Sequence, residues 1–288
     1  MREYDILTDS ACDVESDLLA KWDVGCIQLT FIFSGEDREY AGDEIAIKDF
    51  YDKMRAGAVA KTSAINVQRY INFFEKSLSA GRDVLSLVFS SGLSTTYNSA
   101  RLAAQQLSEK YPDRKIRVVD SLAASSGFGL YVYLAAEKKK AGCDMDEVAD
   151  YLESIKPNLC HWFTVDDLVY LKRGGRISPA AAFFGNAIGI KPVLHVDKEG
   201  HLVKFDKVRG RRSSIMALAD KLGERILDKE SGPVFISHGD CLKDAEELAK
   251  ILNEKYGVTV DLITNIGPII GAHSGPGTLA LFFLGTER

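Results

Sequence analysis

Residues 88–100 read VFSSGLSTTYNSA, a run dense in hydroxyls and free of charge. An apolar segment, DVLSLVF, precedes it, and a helical pattern, TYNSARLAAQQLSEKY, follows. A hydroxyl-rich turn between a strand and a helix start offers O–H donors, unpaired N–H groups and a partial positive charge to an anionic oxygen. Three more segments share this character: TDSACD at 8–13, KTSAIN at 61–66 and VVDSLAASSGFG at 118–129. Ser, Thr and Asp before a helix are first of all N-caps, worth about 1 kcal/mol. Ser94, Thr95 and Thr96 compete for one cap, which leaves at least one hydroxyl spare. Thr62 and Ser63 lie ahead of Asn66, which can cap its helix for itself. These two segments are therefore the stronger ligand candidates, whereas Asp9, Ser10 and Asp13 read as caps and loop stitching.

Catalytic signatures are weaker. The stretch from Gly92 to Thr96 departs from the GxSxG nucleophile elbow, because Thr96 stands where the second glycine belongs. The histidines available as a base are His161, His195, His201, His238 and His273. A Ser/His hydrolase, or a phosphotransferase subunit acting on a small polar substrate, is the alternative reading. No GxxxxGK[ST] phosphate loop occurs. Two basic segments, LKRGGRIS at 171–178 and KVRGRRSS at 207–214, are either solvated rims or a docking surface for an acidic or phosphorylated partner. AHSGPGTLALFF at 272–283 sets His273 before a tight turn. The uncharged run SPAAAFFGNAIGI at 178–190 can serve as core or as the lining of a tunnel.

The elements that must hold these residues are legible in the 288-residue chain. Its first half alternates apolar runs with helical periodicity, which implies a mostly parallel sheet covered on both faces. From about residue 159 the order changes: KPVLHVDKEGHLVKFDKVRG predicts an antiparallel hairpin turning at DKEG, among further helices and strands. The expectation is an α/β fold in two domains, an α/β domain over 1–160 and an α+β domain over 161–288. Apolar residues make up 46%, enough for a substantial core, and 36 basic against 41 acidic residues argue against nucleic acid as a partner. The five cysteines are scattered, without CxxC pairs, which points away from disulfides and zinc and toward a reducing compartment. The N-terminus has no signal-peptide core, and no apolar run is long enough for stable membrane insertion, so a cytoplasmic location is expected.

Taken in order, TDSACD, KTSAI, SSGLSTTYNSA, VVDS, LKRGGRI, KPVL, Lys207-Val208-Arg209 and AHSGPGT resemble the motifs of the DegV family, in particular its fatty-acid-binding, FakB-type members. The resemblance covers essentially the whole chain. It implies two α/β domains with one long-chain fatty acid buried between them and no cofactor. Thr62 and Ser94 would hold the carboxylate, with Ser63 and His273 as additional headgroup contacts. The protein would be non-catalytic, presenting the acid to a separate ATP-dependent fatty acid kinase that forms the acyl phosphate. Arg176 and Arg209 would serve kinase docking. Two positions depart from the family pattern: Ile65 replaces a proline, and Thr95 replaces a glycine. The second substitution removes easy access to positive φ and is expected to reshape the site.

Overall fold

A computed structural model describes residues 2–178, 189–229 and 232–288. Strand β1 (Tyr4–Asp9), helix α1 (Ser16–Lys21) and strand β2 (Val24–Ile27) make the first parallel unit. β3 (Thr30–Phe33), β4 (Glu39–Ala41) and, beyond helix α2 (Ile47–Arg55), β5 (Ala60–Ser63) form a small antiparallel sheet of order β4-β3-β5. Helix α3 (Val67–Ser79), β6 (Asp83–Val88), α4 (Thr96–Lys110) and β7 (Ile116–Asp120) complete a four-stranded parallel sheet of order β2-β1-β6-β7. Every residue of β6 is buried, as befits a central parallel strand covered on both faces.

Helices α5 (Ser125–Lys140) and α6 (Met145–Ile155) lead into the second half. There follow β8 (Leu159–Thr164), α7 (Val169–Arg173), β9 (Ile190–Val196), β10 (Leu202–Arg209) and α8 (Arg211–Arg225). The chain closes with β11 (Phe235–His238), α9 (Leu242–Tyr256), β12 (Leu262–Asn265), α10 (Pro268–Ser274) and β13 (Leu279–Leu284). These strands form a mixed six-stranded sheet, β10-β9-β8-β13-β11-β12, in which only β11 and β12 are parallel. The expected hairpin is β9–β10, turning through Asp197 to Gly200.

Helix α5 joins the two halves. Its residues from Ser125 to Val132 are all buried, without the one-sided stripe of a surface helix. It packs against β1 of the parallel sheet and against β8, β11 and β13 of the mixed sheet. The boundary expected at residue 160 falls inside β8, which starts at Leu159. The continuous segment GCIQLTFIF is split between β2 and β3 in different sheets. Side chains interrupt its ladder: Leu29 N–H donates to Ser10 Oγ at 2.9 Å, and Arg69 Nη2 donates to the Gln28 carbonyl at 2.5 Å. KTSAIN, expected as a loop, contains β5, while Asn66 does cap α3 by accepting the Arg69 N–H. No helix among the described residues is long and apolar enough to cross a membrane.

Candidate functional site

A cavity of about 440 Å³ opens where the loop after β6, strand β5, helix α10 and the mixed sheet meet. Its polar groups gather at one end. Strand β5 contributes Thr62, the β6–α4 loop contributes Ser94 and Thr95, α10 contributes His273, and the turn after α7 contributes Arg176. The remaining wall is largely apolar and includes Leu29, Phe89, Leu171, Ile269, Ile270 and Phe282. These side chains come from five separate segments, so no single run in the sequence describes the wall. The run at 178–190, a candidate tunnel lining, lies mostly outside the described residues.

Thr62 and His273 are partners, with Oγ1 and Nε2 at 2.8 Å. Burial, and then the charge of Arg176, push the His273 imidazole down to about 4, so the ring is neutral at neutral pH. Its Nδ1 is buried without a partner among the described residues and lies against Gly174. A Cβ at residue 174 would stand 2.1 Å from that nitrogen, which explains why the LKRGGRIS segment needs a glycine there. Alternation along β5 separates the neighbouring candidates. Thr62 faces the cavity, whereas Ser63 is exposed and points away, so Ser63 is no headgroup contact here.

Ser94 both caps and lines the site. Its Oγ accepts the Thr96 N–H at 3.2 Å and donates to Thr96 Oγ1 at 2.9 Å. Ser90 ties the loop to the β9–β10 turn by donating to the Gly200 carbonyl at 2.9 Å. Thr95 is exposed at the cavity edge with φ −75° and ψ −2°, ordinary right-handed geometry. Replacing the family's glycine therefore costs no backbone strain, contrary to expectation, and places one more hydroxyl at the mouth. Ile65 is fully buried in the core.

Arg176 was expected on a docking surface, yet it forms part of the cavity wall. Its Nε donates to the Leu93 carbonyl at 3.1 Å and its Nη1 to the Gly174 carbonyl at 2.5 Å. No carboxylate pairs with it among the described residues, and burial lowers its pKa. The loop that lacks a cation in sequence thus acquires one in space. Arg209, by contrast, is exposed at the end of edge strand β10. Its neighbours are largely neutralised within the fold: Arg211 pairs with Asp244 at 2.8 Å, and Arg212 meets Glu247 at 3.7 Å.

The hydrolase alternative lacks its geometry. Ser94 is bonded to Thr96 and His273 to Thr62, and no carboxylate among the described residues orients the other His273 nitrogen. What the arrangement can do is bind an amphipathic anion. The hydroxyls and guanidinium at one end suit an anionic oxygen, and the apolar side chains suit a hydrocarbon tail. His161 was foreseen only as a candidate base and the apolar wall not at all, because the packing of helices and loops as well as strand pairing brings these residues together.

Comparison with known proteins matches this architecture. A DegV domain-containing protein of Clostridium perfringens is 44% identical over 291 residues, covering 100% of this chain and 99% of the relative. A solved Thermotoga maritima protein, described as revealing a fatty acid binding function, superposes with a TM-score of 0.86 at 32% identity, covering 99% of this chain and 100% of its own. A stearic acid-binding protein of Eubacterium ventriosum superposes at 0.88 with 27% identity, covering 98% of each chain. The family model described as an uncharacterised protein of the DegV family matches residues 3–286, and the chain belongs to that family.

Proposed function

We propose that this protein is a carrier for one long-chain fatty acid, held with its carboxylate at Thr62, Ser94 and Arg176, with His273 orienting the Thr62 hydroxyl. The supporting observation is a mostly apolar cavity of about 440 Å³ with hydroxyls at one end and a guanidinium that no carboxylate pairs among the described residues. That volume lies within the usual range for small-molecule pockets. The related proteins described as binding fatty acids support the same reading.

The tail supplies most of the affinity, at about 0.8 kcal/mol per buried CH₂. The head end supplies orientation. With Nε2–H of neutral His273 donating to Thr62 Oγ1, the threonine hydroxyl proton is free for the ligand. Ser94 can turn its proton from Thr96 Oγ1 to the carboxylate while still accepting the Thr96 N–H, exchanging a neutral bond for a stronger charge-assisted one. Arg176 offsets the cost of burying the anion.

In this reading the acid is delivered to a separate ATP-dependent kinase. A carboxylate oxygen attacks the γ-phosphorus, the bond to ADP breaks, and an acyl phosphate forms. The carrier's part is to keep the carboxylate ionised and near the surface. The exposed Arg209, with Lys172 and Arg173 beside the mouth, would face that partner. The test has two arms. Solvent extraction of the purified protein followed by mass spectrometry should yield long-chain fatty acid, and its absence with no uptake of added oleate overturns the carrier. Acyl phosphate should form only when the loaded carrier, ATP and a DegV-associated kinase are combined; formation from free acid at the same rate overturns the delivery step.

A further inference from the structure

The three residues ahead of α4 divide the work at the head of the cavity. The Leu93 carbonyl accepts from Arg176 Nε at 3.1 Å, Ser94 lines the cavity, and Thr95 stands exposed at its edge. Thr95 is the N-cap of α4 by position, and its carbonyl accepts the Ser99 N–H at 3.2 Å. A capping threonine has extended backbone, which turns its hydroxyl back onto the first-turn N–H groups. Thr95 instead has φ −75° and ψ −2°, and its side chain makes no capping bond. Ser94 Oγ takes the Thr96 N–H in its place. The Thr95 hydroxyl and the N–H groups of Tyr97 and Asn98 are left without partners among the described residues. Three donors therefore lie unspent where the cavity opens, at the end of a 15-residue helix whose dipole favours an anion.

On the carrier reading, the carboxylate sits one residue deeper, at Ser94 and Arg176. Consecutive Cα atoms are about 3.8 Å apart, a step that matches the reach from a carboxylate to a group bonded to its outward oxygen. We propose that Thr95 is a specificity-determining residue: its hydroxyl, backed by the Tyr97 and Asn98 N–H groups, holds a phosphoryl group carried on the acyl carboxylate. The protein then retains the acyl phosphate as well as the acid, and the inference rests on the carrier and delivery reading. A phosphoryl group adds negative charge and three strong acceptor oxygens, which need donors beyond those that serve the carboxylate. A plain carboxylate has no oxygen that extends to Thr95. Asp120, at the end of β7, has its charge offset by the N–H groups of Ser91 and Leu122, each donating to it at 3.1 Å.

The experiment compares octadecanoate with octadecyl phosphate by competition for the delipidated full-length protein. Octadecyl phosphate is a stable ester that keeps the tail and outer phosphoryl group of the acyl phosphate without its labile anhydride. The unmodified protein should bind it at least as tightly as octadecanoate. Thr95→Val keeps the shape of the side chain and removes the hydroxyl. It should weaken octadecyl phosphate by about tenfold, one charge-assisted hydrogen bond, and octadecanoate by less than about twofold. Thr95→Ser restores the donor and should bring both ligands back to within about twofold of the unmodified protein. Octadecanoate serves as the control for folding, since a damaged cavity weakens both ligands alike. Equal losses for the two ligands in Thr95→Val, no loss for either, or an unmodified protein that takes octadecanoate and refuses octadecyl phosphate overturns the proposal while leaving the carrier reading intact. Failure of octadecanoate itself to bind the unmodified protein overturns the carrier reading first and this one with it.

Discussion

Arg176→Gln separates a headgroup role for this arginine from a docking role. The guanidinium is held by two backbone carbonyls, Leu93 and Gly174, so its fork is preset while further N–H donors remain for a ligand. A charge-assisted hydrogen bond is worth about 1.5–3 kcal/mol. Partial exposure of the side chain favours the lower part of that range, so about 2 kcal/mol is expected, close to a 30-fold loss of affinity. The assay is displacement of a fluorescent fatty acid by octadecanoate and by octadecanamide, which has the same tail and no charge. The variant should lose about 30-fold for the acid and no more than about threefold for the amide. This comparison controls for general damage, because a distorted cavity weakens both ligands alike. Equal losses for acid and amide, or an unchanged affinity for the acid, would refute the assignment of Arg176 to the headgroup.

Other expectations follow from the same geometry. Thr62→Val and Ser94→Ala should each weaken octadecanoate binding by about five- to tenfold in the displacement assay, one hydroxyl's worth of hydrogen bonding. Ser94→Ala should in addition lower stability by about 1 kcal/mol in urea unfolding, because the residue accepts the Thr96 N–H at the start of α4. Gly174→Ala puts a methyl 2.1 Å from His273 Nδ1 and must displace the imidazole, so binding should fall more than stability does. Two buried carboxylates in the first loop set a pH dependence. Burial raises Asp9 to about 7 and Asp13 to about 8, outweighing their hydrogen bonds. The folded state therefore holds protons that the unfolded chain has released above about 4. Their contribution is fully present below that pH and is lost as pH rises through 7 to 8. Urea unfolding across pH 4 to 8 should show Asp13→Asn flattening this decline, since Asn still accepts from Gly267 and its amide can donate to Ser125 once that hydroxyl turns its proton to Ser237; an unchanged slope would count against a protonated Asp13. His273 acts in the opposite direction. With its folded value near 4, its contribution is present above the unfolded value and declines as pH falls from about 6.5 to 4.

The sequence determined the alternation of elements, because periodicity and capping are local. The hairpin turn at Asp197 to Gly200, the Asn66 cap and the largely apolar β6 follow from neighbours in the chain. The hydroxyls of Thr62 and Ser94 were legible for the same reason: each sits in a motif with more polar groups than its local helix needs. Orientation was less legible. Thr62 and Ser63 are equivalent as letters, and only their place on β5 sends one into the cavity and the other to solvent. Tertiary structure alone decided the rest. Arg176 looks like surface charge until the turn after α7 lays it against Leu93, and His161 looks like a core histidine until β8 pairs with β13. The physical reason is that a ligand cavity is the space left between elements. Its polar end and its wall are assembled from residues whose separation along the chain says nothing about their distance across it.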